Sequence, residues 1–182
     1  MQCAITKRRL AFDVSTLPLY AFSPLGTHDR AAFSSGIPEL DDYFQRQAGQ
    51  DAKRNVAAPF VRVDAANRIV GYYTLSSYGI RSMELPPGIT KKLPRYPLIP
   101  ATLLGRLAVS REHQGRKLGR LLLIDALNRS LRNTSEVASV GVVAEAINDA
   151  AHAFYLHHEF VTLAEDSRKL FISMGTIQKA FR

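Results

Sequence analysis

A single mixed α/β domain spanning residues 1–182 is what the sequence predicts, and three observations predict it. The length of 182 residues suits one domain with a substantial core and is short for two. Hydrophobic residues make up 46% and charged residues 22%, the balance of a folded globular chain rather than a disordered one. The order of patterns is a helical segment, a hairpin, then strands alternating with helices, which argues for one mixed sheet with helices packed against it. No apolar stretch approaches transmembrane length, and MQCAITKRRLAF lacks the apolar run of a signal peptide, so the expected location is the cytoplasm, without membrane contact. The lone Cys3 excludes an internal disulfide and is poorly placed for a catalytic thiol.

The elements follow in chain order. A first strand is expected near Leu10–Val14, and STLPLYAFSPLGTHDRAAFSSG then reads as a loop rich in turn formers. Pro38 suits a first helical turn, and Leu40, Tyr43, Phe44, Gln47 and Ala48 keep helical spacing through PELDDYFQRQAGQDAKR. APFVRVD, the turn AANR and IVGYYTLSSYGI form a hairpin pattern, with β-branched and aromatic residues throughout. ELPPGITKKLPRYPLIP reads as a loop or lid, and LLGRLAVS as a buried strand. After it a long helix carries Leu122, Leu123, Ile124, Ala126, Leu127 and Leu131 on a wide apolar arc, with Asp125, Asn128, Arg129 and Arg132 on the polar side. VASVGVVAEAI is a strand, NDAAHAFYLHHEF a short helix, and KLFISMGTIQKAF is expected to return to the sheet. No internal repeat or low-complexity tract interrupts the series.

Charge is distributed unevenly. The formal net charge is +8, and it concentrates in the middle of the chain. Arg81, Lys91, Lys92, Arg95, Arg106, Arg111, Arg116, Lys117 and Arg120 face only Glu84 and Glu112 there. A basic centre suggests a polyanionic partner, although a solubilising basic surface would have the same composition. Within it, Gln114–Gly115–Arg116–Lys117–Leu118–Gly119–Arg120 leads from a strand through a short loop into the long helix. Helix starts favour Ser, Thr, Asp or Asn caps and acidic first turns, and here the signs are reversed. A bound anion would resolve the conflict, because the unpaired amides of a first helical turn and the helix dipole both favour negative charge. Gly115 and Gly119 let a phosphate approach the backbone, and the three cations suit a diphosphate. Neither GxxxxGK[ST] nor GxGxxG is present.

Gln114-x-x-Lys117-x-Gly119 resembles the acetyl-CoA loop of the GCN5-related N-acetyltransferases, whose pattern is Arg/Gln-x-x-Gly-x-Gly/Ala. The resemblance implies a mixed β-sheet flanked by helices, acetyl-CoA as acetyl donor, and a cofactor site over Gln114, Gly115, Arg116, Lys117, Leu118, Gly119 and Arg120. It also implies that Leu107, Ala108 and Val109 expose backbone groups to the pantetheine arm, with the turn at Asn148 lying against the cofactor. Lys117 stands where the family has its middle glycine, and is expected to take helical dihedral angles and add its charge to the pyrophosphate. FSSGIPELDDYFQRQAGQDAKRNVA, IVGYYTLSSYGI, LPRYPLIPATLLGRLAVS, AFYLHHEF and LFISMGTIQKAF are similar to segments of the acetyltransferase toxins of bacterial toxin–antitoxin systems. That implies aminoacyl-tRNA as substrate and a ribbon-helix-helix antitoxin as partner, and leaves a homodimer open. Glu159 in His158–Glu159–Phe160 replaces the family's usual glycine, a departure costing about 1 kcal/mol if the position is left-handed.

Acetyl transfer needs a neutral amine, help for the developing oxyanion and a proton for the departing thiolate. Tyr155 is the candidate for the proton: it matches the family's tyrosine in A-F-Y, and it shares a helical face with Ala151, Phe154 and His158. Amphipathic core packing is the competing role for a helix tyrosine. Glu145, at a strand end, is a candidate base, although acids there are more often structural; Asn148 also suits a helix cap. The five histidines show no HExxH-like spacing, so no metal is expected. Lys91, Lys92 and Arg95 are candidates for the path of a tRNA acceptor stem. Two alternatives stand beside this one: an acetyltransferase for a small amine or a protein N-terminus, and a non-enzymatic nucleic-acid-binding module. The latter is poorly served by Tyr72 and Tyr73, which point to opposite faces of any strand.

Overall fold

The computed structural model describes residues 22–85, 87–91, 96–164 and 167–181. The strand expected near Leu10–Val14 lies outside them. β1 is the short Ser23–Pro24, followed by a loop and by α1, Pro38–Asp42. Pro38 opens α1 as its proline signature predicts, with Glu39 and Asp41 in the first turn. The helical run does not continue uniformly. Tyr43–Gln47 widens into a π turn before α2, Ala48–Lys53. That turn keeps both Tyr43 and Phe44 buried, a local irregularity that spacing alone does not reveal.

The hairpin is present as β2, Ala58–Val63, and β3, Ile69–Arg81. The loop expected across residues 84–100 is shorter than the sequence suggests. It contains α3, Pro87–Thr90, and β4 already begins at its end, running Leu98–Val109. α4 spans Leu118–Arg132, β5 Gly141–Glu145, and α5 Asp149–His157. Then come β6, Val161–Thr162, and β7, Lys169–Ser173. The second half of KLFISMGTIQKAF does not stay in the sheet: Ser173 accepts a bond from the Thr176 amide as a helix cap and starts α6, Met174–Ala180.

The seven strands form one sheet in the order β1-β2-β3-β4-β5-β7-β6. Every neighbouring pair is antiparallel except β4 with β5, the parallel pair that α4 connects. This is the mixed sheet that the sequence predicts. One face is covered by α4 and α6, where Leu122, Leu123, Leu127 and Ile177 pack on Tyr73, Leu104, Val142 and Ile172. The opposite face carries α1, the π turn and α2, where Phe44 stacks on Tyr72 with ring centroids 4.0 Å apart. Adjacent tyrosines thus serve opposite cores, and both are fully buried, so they provide no stacking platform for bases. Asp125 and Arg129 of α4 are not a freely solvated face either. The Tyr73 hydroxyl donates to Asp125, Arg129 pairs with Asp125 at 2.8 Å, and its guanidinium covers the Phe60 ring at 4.3 Å.

One irregularity positions everything that follows. β3 pairs with β4 as Leu75 with Leu104 and Thr74 with Arg106, so Gly105 is an extra residue, a bulge. On the other edge β4 meets β5 only over Thr102–Leu104 against Val142–Ala144. Past the bulge β4 follows β3 to Val109, while β5 stays with β7 to Glu145. The sheet therefore splits between two adjacent parallel strands, and the split opens where both strands end.

Candidate active site

The loop between β4 and α4 builds the first half of the site. Ser110 closes the strand, and a single 3-10 turn over Arg111–His113 follows. The turn is held from the opposite layer by the bond from the Arg111 amide to the Ser34 carbonyl at 2.8 Å. The Gln114 side-chain amide donates to the carbonyls of Ser35 (2.9 Å) and Val109 (3.2 Å). It fixes the loop, with its donors engaged by the protein. Gly115 has φ +75, a backbone state that L side chains rarely adopt, and nothing lies within 4 Å of where a Cβ would stand. Among the described residues, the amides from Gly115 to Arg120 make no hydrogen bond. They line or border a cavity of about 740 Å³ together with His113, Phe154, His157 and His158. No carboxylate lines it. Free amides, a helix N-terminus, Lys117 and Arg120 fit a pyrophosphate, which is the chemistry expected of this loop.

Lys117 corrects the sequence-based expectation. It is not helical but left-handed, with φ 61 and ψ 13, as the N-cap of α4. The conformation that the family's glycine would take freely is held by a lysine at a cost of about 1 kcal/mol. Glu159 likewise takes φ 64. Both departures from glycine therefore fall on left-handed positions. Arg116 is exposed and does not line the cavity.

The second half lies in the split itself. A cavity of about 470 Å³ is bounded by Leu103, Gly105, Arg106 and Leu107 of β4, Glu145 and the following Ala146 and Ile147, Ala151 and Tyr155 of α5, and Arg168. Glu39 and Leu40 of α1 close it from the other face of the sheet. Tyr155 is 5% exposed and packs beside Phe160. Its hydroxyl makes no hydrogen bond among the described residues, and it is open to the cavity rather than sealed in the core. Burial pushes its pKa up, so the phenol is firmly protonated at neutral pH and can serve as an acid. The side chain is therefore a protonated phenol bordering the cavity.

Other sequence candidates divide clearly. Leu107 lines the Tyr155 cavity and Val109 the phosphate cavity, whereas Ala108 is buried against the α1–α2 layer. Asn148 caps α5, its carboxamide oxygen accepting from the Ala151 amide at 2.8 Å, and it lines neither cavity. Glu145 stands exposed at the rim of the Tyr155 cavity. Lys92 and Arg95 lie outside the described residues. Lys91 is exposed just after α3, and it lines neither cavity. Arg106, named only within the basic centre, and Arg168 line the cavity without having been singled out as site residues. An arginine beside a glycine inside the apolar strand LLGRLAVS was the signal available for the first.

Known proteins similar to this chain share its family. The acetyltransferase (GNAT) domain family matches residues 57–162, more than half of the chain. This protein belongs to the GNAT acetyltransferases. The tRNA-acetylating toxin of Mycobacterium tuberculosis is 34% identical over 146 residues, covering 80% of this chain and 86% of that protein. The structure of AtaT complexed with acetyl-methionyl-tRNAfMet superposes with a TM-score of 0.81 at 26% identity, covering 89% of this chain and 99% of that one. AtaTR bound with AcCoA gives a TM-score of 0.78 at 26% identity, covering 89% and 98%. This GNAT enzyme uses acetyl-CoA as acetyl donor. No helix among its described residues is long and apolar enough to cross a membrane.

Proposed function

We propose that this enzyme transfers the acetyl group of acetyl-CoA to the α-amino group of an aminoacyl-tRNA, and that it is thereby a toxin of translation held in check by a ribbon-helix-helix antitoxin. The observation carrying the reading is the Tyr155 phenol, which no described residue bonds and which faces a cavity in the split of the sheet. Similarity to the M. tuberculosis tRNA-acetylating toxin and to AtaT with its acetylated tRNA supports the choice of acceptor. A tRNA substrate places the enzyme in the cytoplasm.

The chemistry follows from the two halves of the site. Acetyl-CoA supplies a thioester whose carbonyl is open to an amine. The free amides from Gly115 to Arg120, with Lys117 and Arg120, hold the phosphates. The separated edges of β4 and β5 leave a slot for the arm that leads to the thioester. The neutral amine forms the C–N bond as the C–S bond breaks. Tyr155 donates its phenolic proton to the leaving sulfur, and the proton shed by the new amide nitrogen returns through solvent to the phenolate. The amine of an aminoacyl ester is already partly neutral near pH 7, so no dedicated base is required.

Transfer of labelled acetyl from acetyl-CoA tests the acceptor directly. Charged tRNA should become labelled and deacylated tRNA should not. Ready labelling of polyamines or peptide N-termini, without charged tRNA, would leave the acetyltransferase and remove the toxin.

A further inference from the structure

Arg106 follows the Gly105 bulge on β4 and borders the Tyr155 cavity from the same side as Glu39. Its guanidinium carbon stands 3.5 Å from the centroid of the Tyr43 ring. That ring is itself fixed, since its hydroxyl donates to Asp51 at 3.0 Å. Burial and the bond to Asp51 push the Tyr43 phenol up to about 12, against the opposing charge of Arg106, so the ring stays neutral. Stacking on an aromatic face engages the π electrons and leaves the five N–H donors of a guanidinium pointing outward in its plane. Among the described residues, none of those donors is engaged in a hydrogen bond or an ion pair. The cavity's other arginine differs: Arg168 is paired with Asp149 at 2.8 Å. A pre-oriented fork without a protein partner, beside the transfer residue, is an arrangement for a ligand anion.

We infer that Arg106 is a specificity-determining residue for the acceptor, binding the phosphate on the 5′ side of the terminal ribose of the aminoacyl-tRNA. The inference rests on the tRNA reading. In an aminoacyl ester the carboxyl group is esterified, so this phosphate is the nearest anion along the chain to the reacting amine. The fork then sets how far the terminal nucleoside enters the split from the α1 side. The amine approaches Tyr155 from one face, and the phosphates of the acetyl donor lie beyond the other end of β4.

The test compares three acceptors carrying one amino acid that the enzyme accepts: the aminoacyl-tRNA, the aminoacyl ester of the dinucleotide cytidylyl-adenosine, and the phosphate-free aminoacyl-adenosine. The quantity read is the preference, in kcat/KM, for the dinucleotide ester over the nucleoside ester. Arg106→Ala should lower that preference by about tenfold to a hundredfold, the loss expected for a bidentate charge-assisted contact. Arg106→Lys should recover part of it, because it keeps the charge and loses the fork. Acetyl-CoA affinity, measured by calorimetry, should be the same in both variants as in the parent. Equal losses on all three acceptors, or a loss of acetyl-CoA affinity, would overturn the inference while leaving the tRNA reading intact. A parent enzyme that acetylates none of the three would overturn both.

Discussion

The two cavities of this enzyme stand at opposite ends of the C-terminal half of β4 and are built on different principles. The one at the α4 N-terminus is lined by backbone amides, two cations and three histidines, without a carboxylate. The one in the split balances Glu39 and Glu145 against Arg106 and Arg168 beside one phenol, in a wall of mixed polarity. An uncompensated positive concavity holds an anion through distributed charge, and no single contact there decides the outcome. A slot whose charges nearly cancel offers no distributed attraction, so single groups, the Tyr155 phenol and the unpaired Arg106 fork, would carry what it does. On the roles proposed above, binding and transfer should be separable by mutation.

The largest separation is expected at Tyr155. Tyr155→Phe removes a hydroxyl that no described residue bonds, so fold and acetyl-CoA affinity should persist while kcat falls by about 10²-fold or more. Single-turnover rates beside calorimetric affinities read both quantities. An unimpaired phenylalanine variant would reduce Tyr155 to packing and erase the contrast between the cavities. The complementary change is Lys117→Ala with Arg120→Ala. It should weaken acetyl-CoA binding by more than about tenfold and lower the rate at saturating donor far less. Equal effects on affinity and saturated rate would mean that the phosphate end also aligns the thioester.

A smaller effect is expected at His158, which lines the α4 cavity. It is buried behind the phosphate cavity, with Nδ1 2.7 Å from the Phe154 carbonyl. Burial pushes its pKa down, opposed by that carbonyl, with His157 and Arg120 adding to the lowering. The unfolded chain thus binds a proton more readily than the fold does. The associated stability is complete above the unfolded value of 6.5 and is lost as pH falls from there toward the lower folded value. Denaturant titrations across that range should show the slope, and His158→Gln should flatten it. A slope unchanged in the variant would assign it to another group. The smallest effect is expected at Glu159, whose φ of 64 suits glycine. Glu159→Gly should stabilise by up to about 1 kcal/mol, raising Tm by a few degrees without touching kcat. A lower Tm would show that the side chain's own interactions outweigh the backbone strain.

The departures at Glu159 and Lys117 also show how far sequence reading reaches. Both were visible as non-glycines in glycine places, but only the structure supplies the sign of φ. Helical angles were the expectation for Lys117, and the loop instead turns through it in the left-handed state. Residues 92–95, where two of the candidate tRNA contacts fall, lie outside the described residues.

By itself, the sequence determined the strand–loop–helix turn over Gln114–Arg120 and the general architecture. The amides, glycines and cations of that turn lie within a few consecutive residues, and a strand–loop–helix pattern dictates where they point. The apolar arc of α4 likewise follows from helical period alone, with Leu122, Leu123 and Leu127 fully buried as spacing predicts. Only tertiary structure decided the cavity in the split. It draws on Glu39, Arg106, Glu145, Tyr155 and Arg168, which are brought together because β4 stops pairing with β5 after Leu104. That divergence depends on the extra residue at Gly105 and on β5 staying with β7. Pairing between strands far apart in the chain sets both, and no local pattern of side chains encodes it.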